Sequence, residues 1–371
     1  MESPEKEPVS SSTFACMNCG ADLKYQPGTT QLKCDSCGEN NAIPASDEKI
    51  VELDFHAFLA QAETTADALT MQAVKCEVCG ATPSLEAHIQ SAMCPYCASP
   101  LIIANAHTET LIKPKALLPF KLEMPGALAS FKTWVKKLWF APGALKKAAY
   151  SLEQLKGVYI PYWTFDSQTD SAYTGQRGDY YYTTETYRTT SGGKSVTRTR
   201  QVRHIRWSYR SGRIGRFFDD LLVAATESLP AKKVQDLEPW DLENLMVFDE
   251  KFLTGYITEK YRVGLSQGFD LAKVRMDAVI RGLVGKDIGG DQQRILSLRT
   301  GHSGITFKHI LLPIYLSAYR FNNKVYQFMV NGRTGEVQGD RPWSAAKIAI
   351  AIAAGLAIIG GIVAAVMYFN N

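Results

Sequence analysis

The sequence predicts a chain with three kinds of structure: two small cysteine-bound units, an α+β body with an antiparallel sheet, and one C-terminal transmembrane helix. Three observations predict this organisation. Paired Cys-x-x-Cys motifs occupy the first third of the chain, hairpin turn signals separate strand-like runs in the middle, and an uncharged apolar segment lies at 348–369. At 371 residues, the chain is long enough for two or three domains.

The cysteines form two matched sets that use all eight cysteines of the chain. In each set, fourteen residues separate two Cys-x-x-Cys pairs, and each cysteine of the second set lies 60 positions after its counterpart. Four thiolates at this spacing suit a tetrahedral Zn²⁺, and a glycine after three of the four pairs permits positive φ. The sequence therefore predicts two structural zinc ions in two zinc ribbons, held by Cys16, Cys19, Cys34 and Cys37 and by Cys76, Cys79, Cys94 and Cys97.

Two other uses of cysteine fit this pattern less well. Disulfide frameworks belong to secreted chains, and the charged N-terminus contains no apolar signal-peptide region. A redox Cys-x-x-Cys is a single motif in a βαβ pattern, whereas these pairs come as two matched sets. Because four thiolates close each site, we expect no zinc catalysis.

The net charge of +4 conceals two regions of opposite sign. Residues 1–110 hold five lysines, no arginine and fifteen acids, and the remaining 261 residues hold 36 bases and 22 acids. A surface that binds nucleic acid needs lysine and arginine to displace counterions. The first arginine is Arg177, so the ribbons are expected to contact a protein partner or the basic body of their own chain.

Composition divides the chain into six segments. The linker between the ribbons is acidic and carries Val51, Phe55, Phe58 and Leu59 at helical spacing, so we expect a helix whose apolar face packs on a ribbon. The segments are a disordered N-terminus at 1–12, zinc ribbon 1 at 13–44, the acidic helical linker at 45–73, zinc ribbon 2 at 74–104, the body at 110–341 and the transmembrane helix at 348–369.

The body alternates helical and strand-like patterns. Two helices are predicted in 126–156, with a break at 141–143, and a third in 259–284. The first helix has one apolar, tryptophan-bearing side and one lysine-bearing side, which is typical of a core face and also of a helix on an anionic membrane. Strand-like runs at 158–165 and 195–207 and a hairpin in 310–338, with turns at 322–323 and at Asn331-Gly332, predict the antiparallel sheet.

The stretch 186–218 holds nine arginines or lysines and no acid. Arg198 and Arg200 alternate with threonines, so they share one face of a strand, and Ser191-Gly192-Gly193 predicts a hairpin turn before them. Such a strand pair fits phosphates of nucleic acid, phosphates of lipid or an acidic protein surface. The alternative is a solvated face that also balances the acidic ribbons.

The segment 348–369 is 22 residues without a charge, about 33 Å as a helix, which is enough to span a bilayer. Trp343 precedes the segment, and Arg341 and Lys347 flank the same side, which predicts a tail-anchored protein whose N-terminal region lies in the cytoplasm. A ridge of small residues every fourth position favours helix–helix association with a second copy or a partner: Ala349, Ala353, Ala357, Gly361 and Ala365.

No catalytic pattern emerges. Gly192-Gly193-Lys194-Ser195 lacks the first glycine of a phosphate loop, because Arg188 occupies that position. The six histidines are scattered, and the sequence contains no Gly-x-Ser-x-Gly motif. We therefore expect a protein that is not an enzyme.

Taken together, the chain resembles a bacterial family of membrane-anchored proteins with two transcription-factor-IIB-type zinc ribbons. The resemblance rests on the paired ribbons, the terminal span and the segments 119–120, 159–163, 311–315 and 331–337. Members are encoded beside flotillin-like SPFH proteins and sometimes phage-shock protein A, and they look like membrane platforms that recruit such proteins. Members are also labelled primosomal helicase subunits, but this sequence lacks a helicase nucleotide-binding loop.

The resemblance and the residues together favour a zinc-binding adaptor of the cytoplasmic membrane, with an SPFH-type or phage-shock-type protein and anionic lipid as expected partners. Two rival classes remain. One is a membrane-tethered nucleic-acid-binding protein that uses the arginine-rich hairpin at 186–218, although the charge distribution argues against nucleic acid. The other is an enzyme whose site lies in the body, which would show a pocket with convergent titratable groups.

Overall fold

The computed structural model describes residues 14–61, 68–84, 92–102, 106–143, 155–191, 194–321, 324–340 and 343–369. The predicted disordered segment at 1–12 and the second helix predicted within 126–156 lie outside these residues.

The described part of the N-terminal third contains short elements only. A three-stranded antiparallel sheet forms around the first cysteine set, β5 pairs with β8, and β6 pairs with β7. The elements are β1 (Leu23–Tyr25), β2 (Gln31–Cys34), β3 (Asn40–Ala42), β4 (Leu53–Asp54), α1 (Phe55–Gln61), β5 (Ala68–Ala73), β6 (Ala92–Met93), β7 (Pro100–Leu101) and β8 (His107–Ile112).

The body is mostly sheet. Its elements are β9 (Ala116–Leu117), α2 (Met124–Lys136), β10 (Lys156–Ser191), β11 (Lys194–Ala224), α3 (Ala231–Gln235), β12 (Met246–Val247), β13 (Ile257–Thr258), α4 (Leu265–Ile288), β14 (Gln292–Phe321), β15 (Lys324–Asn331) and β16 (Val337–Gly339), followed by α5 (Ala345–Phe369). Strands run in the order β11-β10-β14-β15-β16, and β4, β9, β12 and β13 join the same nine-stranded sheet. The antiparallel sheet expected from the turn signals is therefore confirmed.

Three strands of the sheet are exceptionally long. β10 has 36 residues, β11 has 31 and β14 has 30, so each extends roughly 100 Å at about 3.3 Å per residue. The sequence suggested separate short runs here, because threonine, tyrosine and glycine continue the strands without an apolar alternation. β14 begins to pair with β10 at Gly178, so beyond that residue β10 and β11 continue as a two-stranded hairpin, the distal hairpin (179–206).

The other end of the sheet, which we call the base, is covered on both faces. Alternate side chains of a strand point to opposite faces. Tyr159 and Tyr315 pack in one core with α2, whereas Val158 and Ile314 pack in a second core with α3. The first cysteine set belongs to the former core and the second cysteine set to the latter, so the two cysteine units lie on opposite faces of the base.

Helix α4 covers one face of the long strands beyond the base. It buries one side chain or glycine per turn against the sheet, from Leu265 to Ile288, in the third core. At Gly268 a Cβ would approach Trp163 to 2.8 Å, so glycine permits this close packing. The predicted helix at 259–284 begins later than expected, because Ile257 and Thr258 form β13 beside β10 and Gly264 precedes the first turn.

The prediction for the linker was wrong in two respects. Its helix α1 has seven residues, and β4 before it and β5 after it are strands, so 45–73 is not one helical segment. Its apolar side does not pack on a cysteine unit. Phe55 contacts Phe269 of α4, with ring centroids 4.9 Å apart, and Phe58 contacts Phe307 of β14 at 5.1 Å. The linker therefore attaches to the body.

Candidate metal centres

Each cysteine pair is held by the same backbone turn. In all four turns, the amide of the fourth residue after the first cysteine donates to that cysteine's carbonyl at 2.8–2.9 Å. The last residue of each turn has positive φ: Gly20 at 73°, Gly38 at 79°, Gly80 at 75° and Ala98 at 54°. The glycines expected to permit this conformation occupy it, and Ala98 adopts it at the fourth turn without glycine.

The four thiols of each set converge. Within site 1 (Cys16, Cys19, Cys34 and Cys37) and within site 2 (Cys76, Cys79, Cys94 and Cys97), every sulfur lies within 4.8 Å of the other three. The closest contacts between Sγ atoms are 3.5 Å in site 1 and 3.6 Å in site 2. A disulfide would require about 2.05 Å.

The sulfur geometry fits zinc. Four thiolates at about 2.3 Å from a tetrahedral Zn²⁺ stand about 3.8 Å from one another, which is close to the distances in both sites. Each set offers four protein ligands, so a bound ion would have no position left for a reacting water. The sequence predicted these eight residues, and the structure brings them together in the predicted two groups.

Backbone donors prepare site 1 for a metal. The amides of Cys19 and Asn18 donate to the Cys16 sulfur and lower the pKa of that thiol to about 6. The amide of Cys37 acts in the same way on Cys34, with a further contribution from Ser36, and lowers its pKa. Amides that stabilise thiolate also favour metal binding, because the thiolate is the ligand.

Tyr25 makes several of the contacts that attach unit 1 (14–44) to the body. The Tyr25 amide donates to the Thr254 carbonyl at 3.1 Å, and its hydroxyl lies 2.7 Å from the Thr29 carbonyl and 3.2 Å from the Phe120 carbonyl. Its ring contacts Phe252 at 5.1 Å. Burial of this side chain raises the pKa of Tyr25 well above its usual range.

Unit 2 (73–84 and 92–102) is more deeply embedded. Ser84 and Thr258 exchange two hydrogen bonds of 2.8 Å, through the Ser84 amide and the Ser84 hydroxyl. Tyr96 lies between Cys94 and Cys97, is 0% exposed, and accepts a bond at its carbonyl from Gln327 Nε2 at 2.8 Å. Burial, followed by the nearby Glu259 carboxylate, raises the pKa of Tyr96 well above its usual range.

A third group of acids, absent from the sequence prediction, lies where the linker meets the body. Glu52, Asp166 and Asp220 offer carboxylate oxygens within 4.8 Å of one another. Lys308 already provides a cation there: its Nζ lies 2.9 Å from Glu52 Oε1 and 2.6 Å from Asp220 Oδ1. The side chain of Lys308 is almost wholly buried, and the group serves as an internal ion network rather than a metal site.

Burial and a shared proton set the ionisation of this group. Burial, and then the hydrogen bond with Glu52, raises the pKa of Asp166 to about 7. Glu52 accepts that hydrogen bond, and this contact lowers the pKa of Glu52. The four residues lie at positions 52, 166, 220 and 308, so no local spacing in the sequence predicts that they come together.

A cleft of about 790 Å³ opens between the two cysteine units at the base. Lys24 and Tyr25 line it from unit 1, Met93 and Pro95 line it from unit 2, and Tyr256 lines it from the body. Its charged lining groups are Lys24 and Lys156, Cys94 of site 2 also lines it, and no carboxylate or histidine side chain lines it among the described residues. The convergent acid and base expected of an enzyme site do not meet in this cleft.

The arginine-rich stretch lies on β11 and the distal hairpin, far along the strands from both cysteine units. Arg200 pairs with Glu185 at 2.9 Å and Arg213 lies 3.7 Å from Asp170, both on the neighbouring strand. The ion pairs described for this stretch are therefore made within the sheet, and the cysteine units contribute none among the described residues. Among the described residues, the balance of these arginines by the acidic ribbons is therefore not observed.

Helix α5 has 25 residues and contains an 18-residue stretch with a mean hydropathy of 2.6, and none of its residues is buried. It is long and apolar enough to cross a membrane. The helix starts beside the base: Lys347 Nζ donates to the Ala141 carbonyl at 2.7 Å, and the Trp343 ring lies 5.9 Å from Phe140.

The sequence of this chain is similar to that of a bacterial protein. The uncharacterized protein YdjG of Bacillus subtilis (strain 168) is 25% identical over 348 residues, which cover 91% of this chain and 92% of that protein. No protein-family model matches the chain, and no solved structure matches it. The similarity thus extends over nearly the full length of both proteins.

Proposed function

We propose that this protein is a zinc-binding, single-pass membrane adaptor that recruits partner proteins at the cytoplasmic face of a membrane in a membrane-stress response. The observation that carries the proposal is α5, which has no buried residue although an 18-residue stretch of it has a mean hydropathy of 2.6. A helix of 25 residues is about 37 Å long and exceeds the bilayer core of about 30 Å. Exposed apolar surface of this size is stable in lipid and not in water.

Aromatic and basic side chains at the start of α5 support the membrane assignment. Trp139 is 82% exposed and Trp343 is 68% exposed, and both lie beside the first turn of α5. Lys136 and Lys137 at the end of α2 are exposed nearby. Tryptophan favours the interface and lysine favours anionic lipid on the cytoplasmic side, so the body is proposed to lie in the cytoplasm. The apolar face of α2 itself packs in the core through Phe131.

The two cysteine sites support a scaffold role rather than catalysis. Each would bind one Zn²⁺ with four protein thiolates, and zinc of this kind stabilises a fold. They brace opposite faces of the base, from which the long strands extend. An SPFH-type or phage-shock-type protein, as the family resemblance implies, is the partner proposed for this platform.

Crosslinked recovery of partners tests the proposal. The full-length protein would be crosslinked in cells, extracted from solubilised membranes and recovered with and without nuclease, beside a variant that lacks α5. We expect an SPFH-type or phage-shock-type partner that resists nuclease and disappears when α5 is removed. Recovery of no protein partner from crosslinked membranes would contradict the adaptor function.

One observation favours nucleic-acid binding as the second candidate function. Exposed arginines and aromatic rings alternate on the distal hairpin, with Arg203 stacked 4.4 Å from the ring centroid of Tyr180. Such surfaces bind nucleic-acid phosphates and bases. Loss of every partner on nuclease treatment would favour this candidate over the adaptor.

The small residues of α5 are proposed to mediate self-association. Ala349, Ala353, Ala357 and Gly361 recur every fourth residue and are exposed in this chain. Replacing Ala357 and Gly361 by leucine should weaken the signal in a membrane two-hybrid assay, whereas leucine at Ile358 and Ile362 on another side of the helix should leave it unchanged. Equal signals from both pairs of substitutions would contradict self-association through these small residues.

A further inference from the structure

The strand β11 has one free edge over most of its length. It pairs with β10 from Ala224 to Lys194, and it stands first in the strand order β11-β10-β14-β15-β16. Among the described residues no strand pairs with its other side. In an antiparallel edge strand, alternate residues point their N–H and C=O groups away from the sheet, so this edge offers unpaired donors and acceptors to another strand.

The free edge is positive on both faces of the sheet. From Lys194 to Phe218 the strand contains seven arginines and no acid. Ile214 packs toward α4, so the even-numbered arginines share the α4 face and Arg203 and Arg213 lie on the opposite face. The even-numbered arginines are Arg198, Arg200, Arg206, Arg210 and Arg216.

Aromatic rings support three of these guanidinium groups. Arg200 lies 5.6 Å from the Tyr187 ring centroid, Arg203 lies 4.4 Å from Tyr180, and Arg216 lies 5.4 Å from Phe218. A ring beneath a guanidinium limits its motion and leaves N–H donors exposed at its rim, and of these three groups Arg200 already donates Nε and Nη2 to Glu185. Arginine in this setting is suited to bind a carboxylate with two parallel hydrogen bonds.

We propose that β11 binds an extended acidic segment of a partner protein, which adds to the sheet as a further strand. The inference rests on the proposed adaptor function and supplies its docking site. Main-chain hydrogen bonds would form along the free edge, and acidic side chains would alternate between the two faces. Cross-strand neighbours have Cβ atoms about 4.5–5.5 Å apart, so carboxylates on each face come within reach of the arginines.

Charge disfavours two other occupants. A second copy of this chain that paired β11 with β11 would place arginine opposite arginine, and like charges directly opposite are destabilising. A nucleic acid would meet the arginines of one face only and would leave the main-chain edge unpaired. An acidic strand uses both faces and the edge together.

The binding test uses the full-length protein in nanodiscs of neutral lipid and a fluorescent peptide of about twelve residues that alternates pairs of glutamates with pairs of valine or threonine residues, so that each face of the added strand carries glutamates. A second peptide has the same charge but proline at several valine positions, which removes main-chain donors. We expect the first peptide to bind at least about tenfold more tightly than the second. Equal binding would mean simple charge attraction and would overturn strand addition.

Charge-reversal variants locate the site. Arg198→Glu with Arg200→Glu changes the α4 face, and Arg203→Glu with Arg213→Glu changes the opposite face. Each pair should weaken peptide binding at least about tenfold, whereas Lys49→Glu with Lys232→Glu, exposed lysines elsewhere, should leave it within about twofold. Circular dichroism and a zinc count identical to the parent protein show that each variant folds. Unchanged affinity in both arginine variants would overturn the proposal.

Two further outcomes separate this inference from the proposed function. If single-stranded DNA displaces the peptide and binds more tightly than the peptide does, the edge is assigned to nucleic acid instead. Partners that are still recovered from membranes with both arginine variants would refute the β11 site and leave the adaptor function standing. If the parent protein binds the peptide but no partner is recovered with it from membranes, only the adaptor function is contradicted.

Discussion

The two cysteine units have the same ligand spacing and differ in how the second turn meets the body. Cys37 is exposed in site 1, whereas its counterpart Cys97 is 3% exposed in site 2. The residue before each of them explains the difference, because Ser36 faces solvent and Tyr96 is fully buried in the core that covers the base. Both units pack in a core of the base, but Ser36 and Cys37 are exposed in unit 1, whereas Tyr96 and Cys97 are part of the core in unit 2.

The largest expected effect comes from removing one thiolate at this matched position. Cys37→Ser and Cys97→Ser should each lower zinc from two ions per chain to about one. Cys97→Ser should also lower the free energy of unfolding of the body by about 4 kcal/mol or more, because loss of the metal opens a core that the body strands share. Metal analysis and denaturant unfolding followed by tryptophan fluorescence measure both effects.

Cys37→Ser is the matched comparison for that experiment, since the Cys37 side chain is exposed and its loss should destabilise the body less than the loss of Cys97. Equal destabilisation by the two substitutions would contradict the difference in burial. Two zinc ions in either variant would mean that the ligands are misassigned.

The second effect concerns the aromatic ring itself. Tyr96→Ala should destabilise the protein by about 3–5 kcal/mol, because a fully buried aromatic side chain leaves a cavity when it is truncated. Ser36→Ala at the matched position should change stability by less than about 0.5 kcal/mol. Thermal unfolding of the two variants measures the difference, and a small effect of Tyr96→Ala would show that zinc alone holds unit 2 in place.

The third effect is smaller and concerns the last residue of the second turn. Gly38 has φ of 79° and its counterpart Ala98 has φ of 54°. Gly38→Ala should cost about 1 kcal/mol, since a Cβ would meet no atom within 4 Å and only the backbone conformation is disfavoured. Ala98→Gly should have a smaller effect, since relief of the φ is offset by the greater entropy of glycine in the unfolded chain. A larger loss of stability for Ala98→Gly than for Gly38→Ala in chemical denaturation would contradict this explanation.

The sequence was most informative where chemistry is local. Cysteine spacing located all eight candidate ligands. Glycine located three of the four positive-φ positions at the ends of the cysteine turns. The Ser36 and Tyr96 difference was also visible in the sequence, as a polar residue against an aromatic one within matched turns. Its consequence was not predictable, because the partner surface of Tyr96 comes from Gln327 and other residues more than 200 positions away.

Long-range structure was predicted less well for the same physical reason. Leu59 and Val51 suggested a helical face, yet they are exposed, because β4 pairs with β14 and directs Phe55 and Phe58 into the body instead. The extent of β10 and β11 was missed because threonine and tyrosine in an exposed hairpin give no alternation of apolar and polar residues. Zinc itself, the membrane location and the partners stay predictions.

The smallest expected effect concerns the linker that connects the two cysteine units. The pKa of Asp166 is raised to about 7, so the folded protein holds a proton that an ordinary carboxyl in the unfolded chain releases near pH 4. This contribution to stability is complete below about pH 4 and is lost as the pH rises through about 7. Glu52 has a lowered pKa, and its contribution is lost on acidification instead. The pair therefore stabilises the linker best near pH 4, because acidification removes the Glu52 contribution and a rise in pH from about 4 to about 7 removes the Asp166 contribution.

Replacing Asp166 by asparagine isolates the shared proton. The amide of Asp166→Asn can donate to Glu52 as the protonated acid does, and its carbonyl can accept from the Asp220 amide, which lies 2.7 Å from Asp166 Oδ1. Between about pH 5 and about pH 7, the parent protein should lose stability and Asp166→Asn should not. Hydrogen exchange at 53–61 provides the local readout, and both cysteine sites should keep their zinc throughout. A loss of stability with rising pH that is the same in both proteins would assign the effect to another group and leave the linker attached by its aromatic contacts alone.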